Sequence, residues 1–500
     1  MDTHKIPTAA EGLPLEPGER LLRGFQRFGR LAAAGGITLI VMTVIALVWA
    51  NSAWYDAYAY IFKDMGVHLE IGNWHLPHIH NLAYFINDAL MAIFFLYVGL
   101  EIKRELLVGE LRSVKRATLP IAAAIGGMVI PALIYFGINS AMTVTGPDGE
   151  VVNTMKGWGV PMATDIAFAL GILTLLGSRA PLSLKVFLTS LAIVDDLGAL
   201  LVIAIFYTEE LKTNFLFLSA GTVGFLFVLN ALRFRHPLFY IVPGIALWVF
   251  VLSSGIHATI AGVLLAATVP ASARVKRERF LKASRKALDH FEKAGDDGST
   301  PRESSEQRAA AFALKTNTNQ ILPPLHRMEH ALGPWCAFWI IPIFALANAG
   351  LKMSGDMGSM VSDPVTLGVF FGLSIGKPIG VVLFCWLACK IGIAALPPMT
   401  TWRHIIGAGC LAGIGFTMAL FIANLAFKGD ALHLDAAKLG ILSASLVATI
   451  AGLSILMTCK PMTEAEAQQD EGHPPMDNHS DSFPSPTPPA EDTQPQAKAS

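Results

Sequence analysis

Two adjacent aspartates, Asp195 and Asp196, lie midway along an apolar run from Val186 to Phe206. The run has about 21 residues, enough for a helix to cross a membrane. An ionised carboxylate at the bilayer centre costs roughly 2.5 to 3.5 kcal/mol, so it normally faces a bundle interior where an ion, a proton or a partner offsets that cost. Consecutive helix residues point about 100° apart. We therefore expect one carboxylate to line an ion path and the other to pair with a cation, although two acids that merely hold a bundle together are the structural alternative.

Asp165 is a third acid in an apolar segment, and it follows Pro161 and Thr164. Proline removes a backbone donor and clashes with the preceding turn, so the span should break close to Thr164 and Asp165. Unpaired carbonyls and amides are tolerated at membrane depth only where they line a cavity. Such a break would supply oxygen ligands for a hard cation such as sodium, unless the proline only kinks a structural helix.

Lys377, in Gly376-Lys377-Pro378, is the one lysine that the sequence places deep inside an apolar span. Desolvation disfavours its charge and a nearby carboxylate favours it, so the charge could change when a competing cation arrives. The alternative is a lysine that only neutralises a buried acid. Both interpretations predict a partner among Asp165, Asp195 and Asp196.

A glycine-rich segment, Gly407 to Thr417, resembles the segment around Asp165 because breaker residues precede a more helical half. Two related units, each with an interrupted middle helix, would place a binding site at the repeat interface. Glycine could instead serve close packing of helices.

The composition predicts a membrane protein that positions these residues on helices. The chain has 500 residues, of which 53% are hydrophobic and 15% are charged, whereas soluble domains have about 25% charged residues. We expect an all-α membrane protein of about 12 transmembrane helices, with inverted repeats and two interrupted, crossing helices. The predicted spans are Leu31–Ala50, Leu82–Glu101, Leu119–Met142, Gly157–Leu176, Val186–Phe206, Phe215–Leu232, Pro237–Leu252, Ile256–Pro270, Pro334–Gly350, Leu367–Ile391, His404–Phe427 and Ala437–Thr458.

The distribution of lysine and arginine predicts the orientation. Arginines cluster before the first span and after even-numbered spans, whereas loops after odd-numbered spans hold at most one lysine and no arginine, as at Lys352 and Lys428. Positive residues favour the cytoplasmic side, so both termini should be cytoplasmic.

The domain organisation follows from these spans. Residues 1–30 form a cytoplasmic N-terminal segment, and residues 31–458 form the transmembrane domain. Within it, residues 66–76 predict an outer hairpin that could pair with a second subunit, and residues 272–333 predict a partly disordered cytoplasmic loop near anionic lipid. Residues 461–500 contain eight prolines and eight acids, which indicates a disordered, acidic cytoplasmic tail.

Further charged residues lie at the predicted ends of spans. Glu101, Arg104 and Glu105 end the second span, while Glu329 and His330 precede the ninth and His257 lies at the opposite end of the eighth. Histidine titrates near neutral pH, so these groups could sense acidity. Ordinary interfacial charge is the simpler explanation from the residues alone.

Several stretches resemble the NhaA-type sodium/proton antiporter family, for which inverted repeats are known, so the repeat argument is not independent of this resemblance. It extends from about Leu31 to Thr458. The stretches are Phe95–Leu106, Ala163–Leu170, Asp195–Gly198, His257–Thr259, Ala347–Gly350, Gly376–Pro378 and Gly413–Met418.

The resemblance implies an NhaA-like fold and a role for each matched residue. Asp195 and Asp196 would bind sodium or lithium in competition with protons. Thr164 and Asp165 would belong to the site or balance its helix ends, and Lys377 would pair with an aspartate or compensate the facing helix dipoles. The expected pH-responsive group comprises Glu101, Arg104, Glu105, Glu329 and His330, with His257 a lesser candidate. The implied protein is a homodimeric transporter of the bacterial inner membrane, without a cofactor or nucleic-acid partner and not an enzyme, and it would be electrogenic and pH-regulated.

Two other functions share parts of this pattern. An intramembrane aspartyl protease also needs aspartates on separate helices, but the Gly-x-Gly-Asp context is absent from the sequence and Lys377 would have no task. A sodium-coupled symporter for an organic anion could use the same broken helices. Proton flux driven by sodium, without added solute, distinguishes the antiporter.

Overall fold

The computed structural model describes residues 32–66, 70–71, 74–75, 81–142, 154–208, 211–272, 275, 277–294, 304–353 and 357–463. The predicted N-terminal segment 1–30, the centre of the 66–76 hairpin and the tail from residue 464 lie outside the described residues.

The described residues of the first half are helical apart from one two-stranded ribbon. Its elements are α1 Ala32–Ala50, α2 Tyr55–Ala59, β1 Glu70–Ile71, β2 Trp74–His75, α3 Leu82–Phe85, α4 Met91–Leu107, α5 Val114–Ala141, α6 Ile166–Leu175, α7 Leu182–Phe206, α8 Thr213–Ala231 and α9 Leu238–Ser253. The strands β1 and β2 are antiparallel, with Glu70 opposite His75 and Ile71 opposite Trp74. They lie within the segment where the sequence predicts a hairpin.

The second half is helical throughout the part that the structure describes. Its elements are α10 Ile260–Thr268, α11 Arg277–Lys293, α12 Ser305–Ile321, α13 Pro324–Trp335, α14 Ile341–Asn348, α15 Met357–Val361, α16 Pro364–Phe371, α17 Lys377–Ile391, α18 Trp402–Ala412, α19 Phe416–Ala426 and α20 Ala431–Met457. Wider π-helical turns at Ile86–Leu90, Cys336–Ile340 and Gly372–Gly376 join α3 to α4, α13 to α14 and α16 to α17. Thr154–Met162 forms a 3₁₀ helix before α6.

The described residues contain eight helical segments long and apolar enough to cross a membrane, and the pair α18 and α19, bent by 41°, makes a ninth. Helices α1 and α9 are shorter and apolar. Helix α10 has only nine residues where the sequence predicts a span from Ile256 to Pro270. By length and composition the described residues therefore show eight or nine clear spans, and the predicted total of about twelve stays a prediction.

Close packing of α5 against α17 fixes the centre of the bundle. A Cβ atom added at Gly380 would collide with the backbone of Gly126, so the two helix backbones approach more closely than larger residues would allow. Small residues permit this approach in membranes, where packing rather than hydrophobic burial drives helix association. The contact places the N-terminal end of α17, and hence Lys377, beside α5.

The predicted loop 272–333 contains two helices. Helices α11 and α12 pack on one another, with Ala287 and Ala310 buried. The N–H of Leu325 donates to the carbonyl of Pro270 over 3.2 Å, so the chain leaves and re-enters the membrane domain at adjacent points. The described part of this loop is therefore ordered as a helical hairpin, whereas residues 295–303 lie outside the described ranges.

Candidate functional site

Two interrupted segments meet at the centre of the bundle. Residues 163–165 separate the 3₁₀ helix from α6, and residues 413–415 separate α18 from α19. The N–H of Asp165 donates to the carbonyl of Ile414 over 2.7 Å, and the hydroxyl of Thr164 lies 2.9 Å from the carbonyl of Ala412. The backbone groups freed by each break therefore find partners in the other segment, as buried polar groups must.

Glycine permits this approach. A Cβ atom added at Gly415 would lie 3.1 Å from the carbonyl oxygen of Ala163, and one at Gly413 would lie 2.5 Å from that of Leu373. Glycine therefore serves both purposes considered for this segment, interruption of the helix and close packing. Gly413 and Gly415 lie in the interruption, and there another backbone comes close to each of them.

Asp165 caps two helices at once. Its Oδ1 accepts the backbone N–H of Phe168 over 3.0 Å, at the start of α6. Its Oδ2 accepts the backbone N–H of Thr417 over 3.1 Å, at the start of α19, and also the hydroxyl of Thr417. A carboxylate at a helix N-terminus satisfies free donors and opposes the positive end of the helix dipole. Asp165 therefore balances two positive helix ends that point towards one another.

Asp195 pairs with the ammonium group of Lys377. Its Oδ2 accepts from the ammonium of Lys377, and the Thr164 hydroxyl lies 2.7 Å away. Neither Lys377 nor Asp195 has an exposed side chain. Lys377 also donates to the carbonyl of Met162, which lies where the 3₁₀ helix ends. A cation here opposes the negative end of the 3₁₀ helix, which is the first half of one broken segment.

Lys377 reaches this position because of the elements around it. It is the first residue of α17, directly after the π-helical turn Gly372–Gly376. Such turns occur often at functional sites because they change the direction of a side chain. Its stem passes Gly127, where an added Cβ would lie 3.6 Å from Cε of Lys377.

Asp196 differs from its neighbour. It is 1% exposed, and its Oδ1 is buried without a hydrogen-bond partner among the described residues. The same holds for Oδ1 of Asp195. Carboxylate oxygens with unused acceptor capacity suit a proton or a hard cation. The structure thus pairs one of the two carboxylates, that of Asp195, with a cation, while the expectation that the other lines an ion path stays a prediction.

A second charged cluster joins α4 to α13. Arg104 contacts Glu329 on α13, lies 2.9 Å from an oxygen of Glu105 and lies 3.6 Å from one of Glu101. Three of the four side chains are at most 16% exposed, so their charges are only partly screened by solvent. The structure therefore brings together all four of the acidic and arginine residues that the sequence selected at these ends.

The two predicted histidines lie elsewhere. The side chain of His330 is exposed. His257 has its Nε2 2.7 Å from the carbonyl of Tyr207, which joins the loop before α10 to the end of α7. A third histidine, His326, has its Nδ1 3.7 Å from a carboxylate oxygen of Glu329. Sequence reasoning missed it, although its spacing three residues before Glu329 is the signal that could have identified it.

Two further polar residues went unnoticed in the sequence. Thr417 matters through its hydroxyl and its position at a helix start. Lys438 is 6% exposed, although the sequence places it at the end of a span, and its Nζ lies 3.4 Å from both Asp435 and the carbonyl of Gly350. Lys377 is therefore not the only lysine buried in the bundle.

Comparison of the sequence with known proteins identifies a family. The model of the family Na+/H+ antiporter 1 matches residues 26–456. The chain is 48% identical over 448 residues to the Na(+)/H(+) antiporter NhaA of Koribacter versatilis, covering 90% of this chain and 93% of the relative. It is 49% identical over 457 residues to the Na(+)/H(+) antiporter NhaA of Oleidesulfovibrio alaskensis, covering 91% and 97%. The chain therefore belongs to the Na+/H+ antiporter 1 family.

Proposed function

We propose that this protein exchanges internal sodium or lithium for external protons, which compete for the carboxylates of Asp195 and Asp196. The observation that carries the proposal is the pairing of only one of these buried carboxylates with Lys377, while Asp196 Oδ1 has no partner among the described residues. A buried carboxylate without a partner favours a proton or a cation because an isolated charge is costly there.

Counting charges shows how the exchange works. With Asp196 protonated and Asp195 paired with Lys377, the site is neutral. Sodium that binds both carboxylates displaces the proton of Asp196 and again leaves the site neutral while Lys377 keeps its charge. If sodium also displaces Lys377 from Asp195 and the amine loses its proton, two protons leave for each sodium. The cycle then moves net charge, and the membrane potential contributes about 2.3 kcal/mol per charge per 100 mV.

The broken helices make the site responsive to its occupant. Asp165 and Lys377 oppose the partial charges of the four half-helix ends, so a change in charge at Asp195 or Asp196 alters the balance at the crossing point. Alternating access follows when the bundle rocks around this fixed site. Residues Thr164 and Asp165 thus belong to the ion-binding site or orient it.

We propose a pH-responsive role for the cluster of Glu101, Arg104, Glu105 and Glu329, with His330 and His257 as further candidates. Its support is the contact of Arg104 on α4 with Glu329 on α13, since loss of the charge of Glu329 would weaken this link between the two helices. His326, whose Nδ1 lies 3.7 Å from Glu329, is a further candidate.

The finer architecture is part of the same proposal. Twelve spans with inverted repeats are supported by the two interrupted segments, which lie in corresponding places between α5 and α7 and between α17 and α20. Cytoplasmic termini are supported by the distribution of lysine and arginine among the loops. A homodimer in the lipid bilayer of the inner membrane is supported by the short ribbon of β1 and β2, since unpaired strand edges can extend a sheet across subunits. Family membership does not favour an organic-anion symporter or a protease.

Two measurements test the exchange. In everted vesicles, sodium and lithium should each dissipate an imposed proton gradient without added solute, and potassium should not. In calorimetry at several pH values, sodium binding should release protons, and its apparent dissociation constant should rise about tenfold per unit fall in pH for each proton displaced. Sodium binding that releases no proton at any pH would overturn the competition.

A further inference from the structure

Three asparagines meet away from the ion site. Asn348, the last residue of α14, donates to Oδ1 of Asn87 over 2.9 Å. Asn424 of α19 donates to Oδ1 of Asn348 over 3.1 Å. Asn348 is only 4% exposed. Its amide therefore connects the turn before α4 with α19 inside the bundle.

These helices belong to two packed groups. The first surrounds the ion site and contains α5, α7 and α16 to α20, which pack mainly on one another and on the 3₁₀ helix. The second contains α4, α8, α9, α10 and α13. Helix α14 continues from α13, and α1 contacts both α14 and α6. The bond from Asn424 to Asn348 thus joins α19 of the ion-site group to α14, which is continuous with α13 of the second group.

Two other contacts cross the same boundary. The ring of Phe421 on α19 lies 5.5 Å from that of Phe95 on α4 and 6.3 Å from that of Phe344 on α14. The ammonium of Lys438 on α20 lies 3.4 Å from the carbonyl of Gly350. An aromatic layer and polar contacts together close the space between the groups.

The position of this contact relative to the ion site indicates what it could do. Asn424 follows Thr417 by seven residues on α19, which is about 10 Å along a helix axis. Asn348 and Asn424 lie just before the loops of Lys352 and Lys428, which the charge distribution assigns to the outer face. The contact therefore lies between the carboxylates and the outside.

From this geometry we infer that Asn348 and Asn424, with Phe421 beneath them, form the outer gate of the transport cycle. The inference rests on the proposed exchange, because only a carrier needs this boundary to open. Hydrogen bonds between membrane helices are weak, and loss of one changes an equilibrium about threefold on average. Such a bond can favour the closed gate and still break in every cycle.

Cross-linking tests the gate. In a variant with all five native cysteines replaced, Asn348→Cys and Asn424→Cys are introduced together and joined by oxidation or by a short dithiol-specific cross-linker. Cross-linked protein should lose sodium-driven proton flux by more than tenfold, and reduction should restore it. Sodium binding measured by calorimetry should persist, because the carboxylates are unchanged. Full flux in cross-linked protein would overturn the gate and leave the proposed exchange standing.

A matched pair controls for cross-linking itself. A Cβ atom added at Gly35 would lie 3.4 Å from that of Ala337, close to the separation that a disulfide needs. Gly35→Cys and Ala337→Cys join α1 to the turn before α14 without crossing to α19, so their cross-link should reduce flux far less than the cross-link between positions 348 and 424. Absence of sodium-driven flux in the unmodified protein would instead refute the exchange.

A second measurement does not require turnover or a cross-link. In right-side-out vesicles, Phe421→Cys should react slowly with a membrane-impermeant maleimide, at a rate set by the fraction of open gates. Adding Asn424→Leu removes the donor to Asn348, so the labelling rate should rise about threefold. An unchanged rate would mean that this bond does not hold the gate closed.

Discussion

The ammonium of Lys377 contacts the carboxylate of Asp195, and both side chains are fully buried. Burying two charges is costly, and removal of one partner leaves the other uncompensated. The Thr164 hydroxyl, 2.7 Å from the same carboxylate oxygen, supplies one further contact to the charge. The pair is thus suited to a role in which a third charge competes with one of its members.

Separate and joint replacement of the pair should give different results. Lys377→Met should lower stability by about 3 to 5 kcal/mol, whereas Lys377→Met with Asp195→Asn should recover much of it because no lone charge remains. Neither variant should exchange sodium for protons at the normal rate. Thermal unfolding in detergent and flux in vesicles measure the two effects.

Lys390→Met is the matched control, because Lys390 lies on the same helix and is exposed, with its ammonium 4.4 Å from the ring of Trp386. It should retain both stability and flux. A double variant as unstable as Lys377→Met alone would contradict the account of the pair.

Asp196→Asn should abolish exchange while the protein remains folded in the membrane. The amide keeps the size of the side chain but cannot exchange a proton for a cation. Asp363→Asn is the control, since Asp363 caps α16 through the N–H of Val365 at 2.8 Å and asparagine caps equally well. Normal proton release by sodium in Asp196→Asn would refute its place in the site.

Replacement of Asp165 should act on stability as well as transport. Asp165→Ala removes acceptors from the starts of α6 and α19, which should cost about 1 to 2 kcal/mol for each cap. Asp165→Asn keeps one acceptor for Phe168 or Thr417, so it should cost less. Thermal unfolding ranks the variants, and equal stability of all three proteins would show that the caps contribute nothing.

The charged cluster predicts shifts of opposite sign in the pH profile of exchange. Arg104→Gln leaves Glu101, Glu105 and Glu329 without their shared cation, so the cluster should keep a proton to higher pH and the activity midpoint should rise by about one unit. Glu329→Gln removes an acid, so the midpoint should fall. Vesicle flux across a pH series measures both.

Arg116→Gln is the control, because it breaks a comparable ion pair outside the cluster. Arg116 lies 3.7 Å from Glu110. Its midpoint should not move. If it shifts as far as Arg104→Gln does, the response is one of general surface charge.

Sequence predicted which residues would carry charge, but not how they would be paired. The partner of Lys377 was correctly limited to three aspartates, because no other acids are predicted at that depth. The choice of Asp195 over Asp196 depends on the rotation of α7 about its axis, which packing against α5 sets. No local sequence pattern determines the rotation of a helix about its axis.

The breaks were predictable in position because Pro161 and the glycines act on the backbone locally. The bonds between them were not, since Asp165 and Ile414 are remote in sequence. The same limit applies to the span count. Helix α10 has nine residues because its flanking turns hold the rest of a hydrophobic run, and hydropathy alone does not locate such turns.

The bond between Leu325 and Pro270 closes the hairpin of α11 and α12 at its base. An insertion whose two ends lie close together adds little loop-closure entropy and does not distort the domain into which it is inserted. The hairpin of α11 and α12 is consequently a suitable site for inserting a fluorescent reporter or a rigid domain that helps to align particles in electron microscopy. We expect such a fusion to leave transport intact.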